Sequence, residues 1–213
     1  MGQIATFAFD QKKHYLAQMT ESLIKTRLMN KAVGYLGRYA TSQNRLREVL
    51  ERFALRKLNK HNPDKIAAAI GATVNRCLTL GYLNDDAFAQ TQARSHRQQG
   101  RSKINIRQRL RQHGLDDTLI DAALKEADKH SADGELLAAC RFARRRGLGP
   151  FDPQKYVDAK GREAVMQRQQ RQLGSLARAG FSMSVSQTVI GLQDMDAAEM
   201  LLDQLEQGED PTV

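Results

Sequence analysis

The sequence predicts an all-α protein assembled from small three-helix modules. Three observations carry that expectation. Trp is absent, aromatic residues are 6 % of the chain and Pro occurs only four times, while runs of Val and Ile are sparse; helix-on-helix packing by Leu, Ile and Ala suits this better than a sheet. Apolar residues recur at i, i+3 and i+4, so each segment carries one stripe to bury. Asn, Ser and Asp caps and Gly stops mark segment ends along most of the 213 residues.

Residues 81–124 show the pattern most fully. Gly81 ends the helix before it, because a C′ position needs the left-handed conformation that Gly adopts without penalty. Asn84 caps the next helix, and Asp85 and Asp86 place negative charge on the exposed amides of its first turn. That helix is predicted over 85–99, with Phe88 and Ala89 inward. Gly100 stops it and Ser102 caps a second over 103–113, with Ile106 and Leu110 inward. Gly114 stops the second. Asp116 caps a third, Leu115 stapling against Ile120 across the cap, with Leu119, Ala123 and Leu124 on the same face.

Residues 1–25 are poorly patterned: Ile4 to Phe9 fit a short strand, an arm or the start of a helix. A first module is read over 26–81. It has one helix with the stripe Leu28, Ala32, Tyr35, Leu36 and Tyr39. A second, capped by Thr41 or Ser42, carries Leu46, Val49, Leu50 and Phe53. A third opens at Asn62-Pro63-Asp64, cap then Pro at the first helical position, and runs through Ile66, Ile70, Val74, Cys77, Leu78 and Leu80. The second module is 82–130. A third, 131–192, holds a helix over 134–146, a break at 147–150, a long polar helix over 154–179 weakly interrupted by Gly161, and a short helix with Val185, Val189 and Ile190 after Ser182. Residues 193–213 are an acidic tail whose Met195, Met200, Leu201, Leu202 and Leu205 form an amphipathic helix or fray. Gly81, Gly114, Gly147 and Gly180, each followed by an apolar residue, are spaced by 33, but the segments between them differ in helix count, so the three-helix unit is the better repeat.

Charge narrows the function. Lys and Arg total 33 against 24 acids, a net +9. The tail contributes seven acids (Asp194, Asp196, Glu199, Asp203, Glu206, Glu209, Asp210) and no base, so the body carries +16. Between residues 94 and 113 stand Arg94, Arg97, Arg101, Lys103, Arg107, Arg109 and Arg111 with no acid. Arg144, Arg145 and Arg146 close the 134–146 helix, where cations also suit the helix dipole. Such clusters are what phosphate binding needs, and these ten residues are the candidate contacts to a polyanionic partner. No aromatic is interleaved with the 94–113 run, so base stacking is not expected there.

Other chemistries lack their signatures. Adjacent Asp85 and Asp86 read as caps rather than an acid–base pair. His14, His61 and His130 are isolated, and His96 and His113 add hydrogen-bonding capacity, so no metal cluster or catalytic pairing is expected. No phosphate-cradling glycine loop occurs, and no cofactor is expected. Cys77 and Cys140 read as small buried residues in a reducing compartment. Tyr35, Tyr39, Tyr82, Phe88 and Phe181 read as core or junction residues. No stretch approaches a membrane span and no signal-peptide pattern opens the chain, so a cytoplasmic, membrane-free location is expected.

Several of these residues together resemble the RecX family, bacterial modulators of the RecA recombinase. They are Tyr35-Leu36 with Arg38 and Ser42 to Leu46, then Gly81-Tyr82-Leu83-Asn84-Asp85-Asp86-Ala87-Phe88-Ala89. After these come Ile104, Ile106-Arg107, Leu110 and His113-Gly114-Leu115, and finally Ala179-Gly180-Phe181-Ser182. The resemblance covers about residues 28–192. The family usually has an acid where this chain has Arg45 and often a base where it has Ala179, and the acidic tail lies outside the family pattern. What the resemblance implies is a non-enzymatic, elongated, curved array of tandem three-helix, helix-turn-helix-like repeats. It would bind in the groove of the RecA–single-stranded DNA filament as a monomer and damp strand exchange, ATP hydrolysis and filament growth, in the context of DNA repair, recombination and the SOS response. Contacts to single-stranded DNA would be sequence-independent and salt-sensitive. Two alternatives stay open: a helix-turn-helix-like regulator reading duplex DNA, and a scaffold that binds only proteins, its tail covering the basic run. Reversal of Arg97, Arg101 and Arg107 to Glu is expected to abolish partner binding without unfolding the chain.

Overall fold

The structure is a computed structural model that describes residues 2–153 and 161–208, with side chains from Gln18 onward except Thr20. Among the described residues there are ten α-helices and no strand. The chain divides into two compact units, 1–88 and 89–213.

The first unit is built on α1 (Gly2–Leu36), α2 (Gln43–Lys57) and α3 (Pro63–Thr79). The ambiguous N-terminal stretch is helical from Gly2. Ile24, Leu28 and Ala32 of α1 meet Leu46, Leu50 and Ala54 of α2 and Ala69, Ile70, Val74 and Cys77 of α3, with Leu58 and Leu83 closing the ends. Each large aliphatic side chain buried this way contributes about 1.5–3 kcal/mol. Local chemistry sets the boundaries. Ser42 Oγ accepts from Arg45 N at 3.2 Å, and Asn62 Oδ1 accepts from Asp64 N at 2.8 Å with Pro63 as first helical residue. Asp85 reaches further than a cap of its own helix: its Oδ1 accepts from Gln43 N, the first residue of α2, at 2.9 Å. Burial there raises the Asp85 carboxyl above its usual range. Three apolar assignments fail for one reason, that their residues fall beyond a helix end. Leu80 follows α3, Tyr39 follows α1 and Tyr82 precedes α4, and all three are exposed.

The second unit begins within α4 (Asp85–Gln98) and continues through α5 (Lys103–Gln112), α6 (Asp117–Asp128), α7 (Gly134–Arg146), one 3-10 turn at Gly149–Phe151, α8 (Gly161–Arg178), α9 (Met183–Gly191) and α10 (Met195–Gln207). Residues 154–160 of the predicted long helix, and Glu209 and Asp210 of the tail, lie outside the described residues. Ala89, Ile106, Leu110, Ile120, Ala123 and Leu124 are buried, as their spacing predicts. A larger core gathers Leu136, Leu137, Cys140 and Phe142 of α7, Leu176 of α8, Phe181, Val189 and Ile190, and Leu201, Leu202 and Leu205 of α10. The Phe142 and Phe181 rings stand 5.7 Å apart. Residues 195–207 of the acidic segment are therefore a packed helix, its leucines in the core and its carboxylates outward. Both cysteines are free and buried, and burial pushes the Cys140 thiol up to about 12.

Candidate nucleic-acid interface

The ten predicted contact residues separate into three groups. Arg97 is buried at 3 % exposure. Its Nε and Nη2 donate to the two oxygens of Asp128 at 2.7 and 2.9 Å, and Nη1 donates to Glu135 Oε2 at 2.9 Å and to the Arg101 carbonyl at 3.0 Å. Glu135 also accepts from Lys103 N at 3.2 Å. The ends of α4 and α6 and the starts of α5 and α7 thus converge on one guanidinium. Gly134 makes the room, since a Cβ there would lie 2.3 Å from the Asp128 carboxyl carbon. Arg97 is an internal junction and does not belong to the surface, because two carboxylates 31 and 38 residues downstream enclose it. The expectation that Arg97→Glu leaves the chain folded is corrected accordingly: a third carboxylate would face Asp128 and Glu135 in a desolvated site.

The second group is exposed but carries acidic neighbours. Arg111 holds Asp117 through paired contacts of 2.7 and 2.9 Å, Arg107 holds Asp121, and Lys103 Nζ lies 3.3 Å from Asp128. Glu126 is held below its ordinary range by its hydrogen bond to Lys129, and then by the Lys129 and Arg94 charges, which places Arg94 against an acid too. Arg144 pairs with Glu199 of α10 at 3.1 Å. The neighbouring Arg141 pairs with Glu206 at 2.8 Å. The acidic helix therefore engages α7 and leaves the α5 run uncovered.

The third group has no ion pair among the described residues. Gly100, Arg101, Asn105, Phe142, Arg145, Arg146, Ser175, Arg178 and Ala179 line a cleft of about 360 Å³, with no carboxylate among these lining residues. Two close approaches build it. At the α4–α5 turn, a Cβ on Gly100 would stand 2.6 Å from Phe142 N and 2.8 Å from the Ala138 carbonyl, so only Gly lets the turn lie on α7. Ser102 Oγ donates to the Ala179 carbonyl at 2.6 Å, which brings the end of α8 and Arg178 to the same place. Arg145 donates to the Gln99 carbonyl, and so satisfies one of the orphan acceptors that end α4. Burial, and then the like charges of Arg109 and Arg145, lower the Arg101 guanidinium from its ordinary value. Arg109 Nε donates to Asn105 Oδ1 at 3.1 Å. Arg178, Asn105 and Ser175 were missed in the sequence. Arg178 reads there as one more cation at a helix end, and nothing local reports that the 98–105 turn packs against it.

His96 lies behind this cluster, its Nδ1 buried with no hydrogen-bond partner among the described residues. Burial, then Arg101 and Arg109, lower its pKa below the usual 6.5, against a raising hydrogen bond with Gln99 and with His113 adding repulsion. Unfolded chains then take up the proton first as pH falls. His96 leaves stability unchanged above about pH 6.5 and reduces it progressively below that, until the folded form also charges. His96→Gln is expected to flatten part of the acid limb of a denaturation-midpoint profile measured between about pH 5 and 8. An unchanged limb would exclude His96 as its source.

Among the described residues, no group of three or more His, Cys, Asp or Glu could hold a metal ion, and no helix is long and apolar enough to cross a membrane. Residues 84–124, which span α4 to α6, match the family model described as RecX, second three-helix domain. The chain is 36 % identical over 183 residues to the regulatory protein RecX of Myxococcus xanthus, covering 85 % of this chain and 93 % of that one. To its counterpart in Agrobacterium fabrum it is 27 % identical over 174 residues, 82 % of this chain and 87 % of that one. A crystal structure of a regulatory protein RecX superposes with a TM-score of 0.59 at 18 % identity, over 83 % of this chain and 76 % of that one. RecX from Lactobacillus salivarius superposes with a TM-score of 0.57 at 19 % identity, over 80 % and 96 %. These structures share the all-α fold. With relatives matched along most of its length and its central bundle fitting the family model, the chain belongs to the RecX family of regulatory proteins.

Proposed function

We propose that the protein binds the RecA–single-stranded DNA filament and negatively modulates RecA: it slows ATP hydrolysis and filament growth during DNA repair and recombination. Family members are regulatory proteins and not enzymes. The observation that carries the proposal is the acid-free cleft of Arg101, Arg145, Arg146 and Arg178 in a chain of this family. Unopposed cations repel one another in the free protein and gain most from a polyanion that also releases counterions. The protein acts as a cytoplasmic monomer without cofactor, in three-helix repeats at 26–81, 82–130 and 131–192. RecA-catalysed, DNA-dependent ATP hydrolysis with substoichiometric protein tests this; inhibition is expected, and none across a wide concentration range would reject it.

One observation favours a duplex-reading alternative. Ile104, Gln108 and Gln112 share an exposed face of α5 with Lys103, Arg107 and Arg111, side chains of the kind that contact base edges from a groove. Arg107 and Arg111 are already engaged by Asp121 and Asp117, which weakens it. Mobility shifts on duplex DNA at rising salt discriminate: a site that survives competitor DNA favours the alternative, and sequence-blind, salt-steep binding favours the filament.

A further inference from the structure

We propose that the arginine cleft is a seat for a single phosphate ester of a nucleic-acid strand, gripped by Arg101, Arg145, Arg146 and Arg178. This rests on the filament reading above and adds which atoms of the filament are held: strand phosphate, not the carboxylates of a protein partner.

The chemistry of the donors decides between those two. A carboxylate offers two oxygens in one plane and is satisfied by a single guanidinium fork. A phosphate ester presents oxygens in several directions and accepts forks arriving from different sides. Here the forks come from three elements: the α4–α5 turn, the end of α7 and the end of α8. The cleft, at about 360 Å³, is small-ligand sized, with room for a phosphate and its sugar and not for a partner helix. Its repulsion is already evident at Arg101, crowded by Arg109 and Arg145. Bases find no platform in it. Phe142 is the aromatic ring in the lining, and the Arg145 and Arg146 guanidiniums lie 5.8 and 5.9 Å from its centroid. Recognition is therefore of backbone and blind to sequence. The contacts at Gly100 and Ser102 fix the walls before any ligand arrives, so little ordering cost falls on binding.

The shared chemistry has two sources, the internal diester of a strand and the phosphate at a strand end. The test uses the full chain and a variant carrying Arg146→Ala with Arg178→Ala, both residues exposed and outside the cores. The probes are oligothymidylates of about twenty nucleotides, a length that spans a single-strand site, labelled at the 3′ end and carrying either a 5′-hydroxyl or a 5′-phosphate. Anisotropy titrations run at rising salt, and circular dichroism verifies helix content. The variant is expected to bind more weakly, with the slope of log affinity against log salt shallower by up to about 0.7, the single-strand value for one phosphate contact. Loss on both probes assigns the internal diester, and loss confined to the 5′-phosphorylated probe assigns the strand end. A folded variant with unchanged affinity and slope overturns the seat. So does poly-L-glutamate competing as well as the oligonucleotide, charge for charge, and losing as much in the variant. The ATP hydrolysis assay separates the two proposals. If wild-type protein inhibits RecA while the variant's strand binding is unchanged, the seat falls and the filament reading stands. If strand binding is lost while wild-type protein leaves RecA untouched, the reverse holds.

Discussion

Arg97→Ala is expected to destabilise the second unit by about 3–5 kcal/mol, the cost of removing one partner from a desolvated ion network. The side chain is 4 % exposed, and the carboxylates it holds are at 15 % and 20 %. Alanine would strand Asp128 and Glu135 and remove the donor from the Arg101 carbonyl. Arg97→Lys keeps the charge but cannot reproduce the two-point grip on Asp128, so it should fall between wild type and alanine. Urea denaturation followed by circular dichroism measures the difference. A loss of less than about 1 kcal/mol, the scale of an exposed ion pair, would show that the junction holds nothing together.

The second large effect isolates close packing from backbone conformation. Gly81 and Gly100 have nearly the same φ, +71° and +67°. A Cβ on Gly81 would meet nothing within 4 Å, while on Gly100 it would strike backbone atoms of α7 at 2.6, 2.8 and 3.0 Å. Gly81→Ala should therefore cost only the left-handed penalty of about 1–2 kcal/mol. Gly100→Ala should cost that plus about 1–3 kcal/mol for overpacking against atoms that cannot rotate away. Denaturation midpoints of the two variants measure it, and equal losses would refute the close approach. The same substitution should also loosen the Arg101–Arg145 wall of the cleft.

What proved legible in the sequence was local. Ser42, Asn62, Asn84, Ser102, Asp116 and Ser182 each accept an amide two or three residues downstream, so cap and stop chemistry reveals itself over a few positions. Apolar spacing likewise reported most of the inward faces, and misled at Tyr39, Leu80 and Tyr82, where a helix had ended, and at Met200, which is exposed within α10. The basic run was harder to read, because charge along a chain says nothing about charge across a fold. Residues 94–113 hold no acid, yet Asp117, Asp121, Asp128 and Glu135 return to meet Arg111, Arg107, Lys103 and Arg97. The surplus that survives at Arg101, Arg145, Arg146 and Arg178 is set by two backbone approaches that no window of neighbouring residues contains.

The placement of Glu135 has a further consequence for how the molecule comes into being. During synthesis from the N-terminus, the angle between α4 and α5 cannot lock until the first turn of α7 has emerged to close around the waiting guanidinium. A chain cut in the 129–133 connection would keep every helix of its middle bundle and Asp128, and still lack Glu135, the second carboxylate on Arg97. The middle bundle is therefore not an interchangeable brick, since it is finished by the first turn of the helix that follows it.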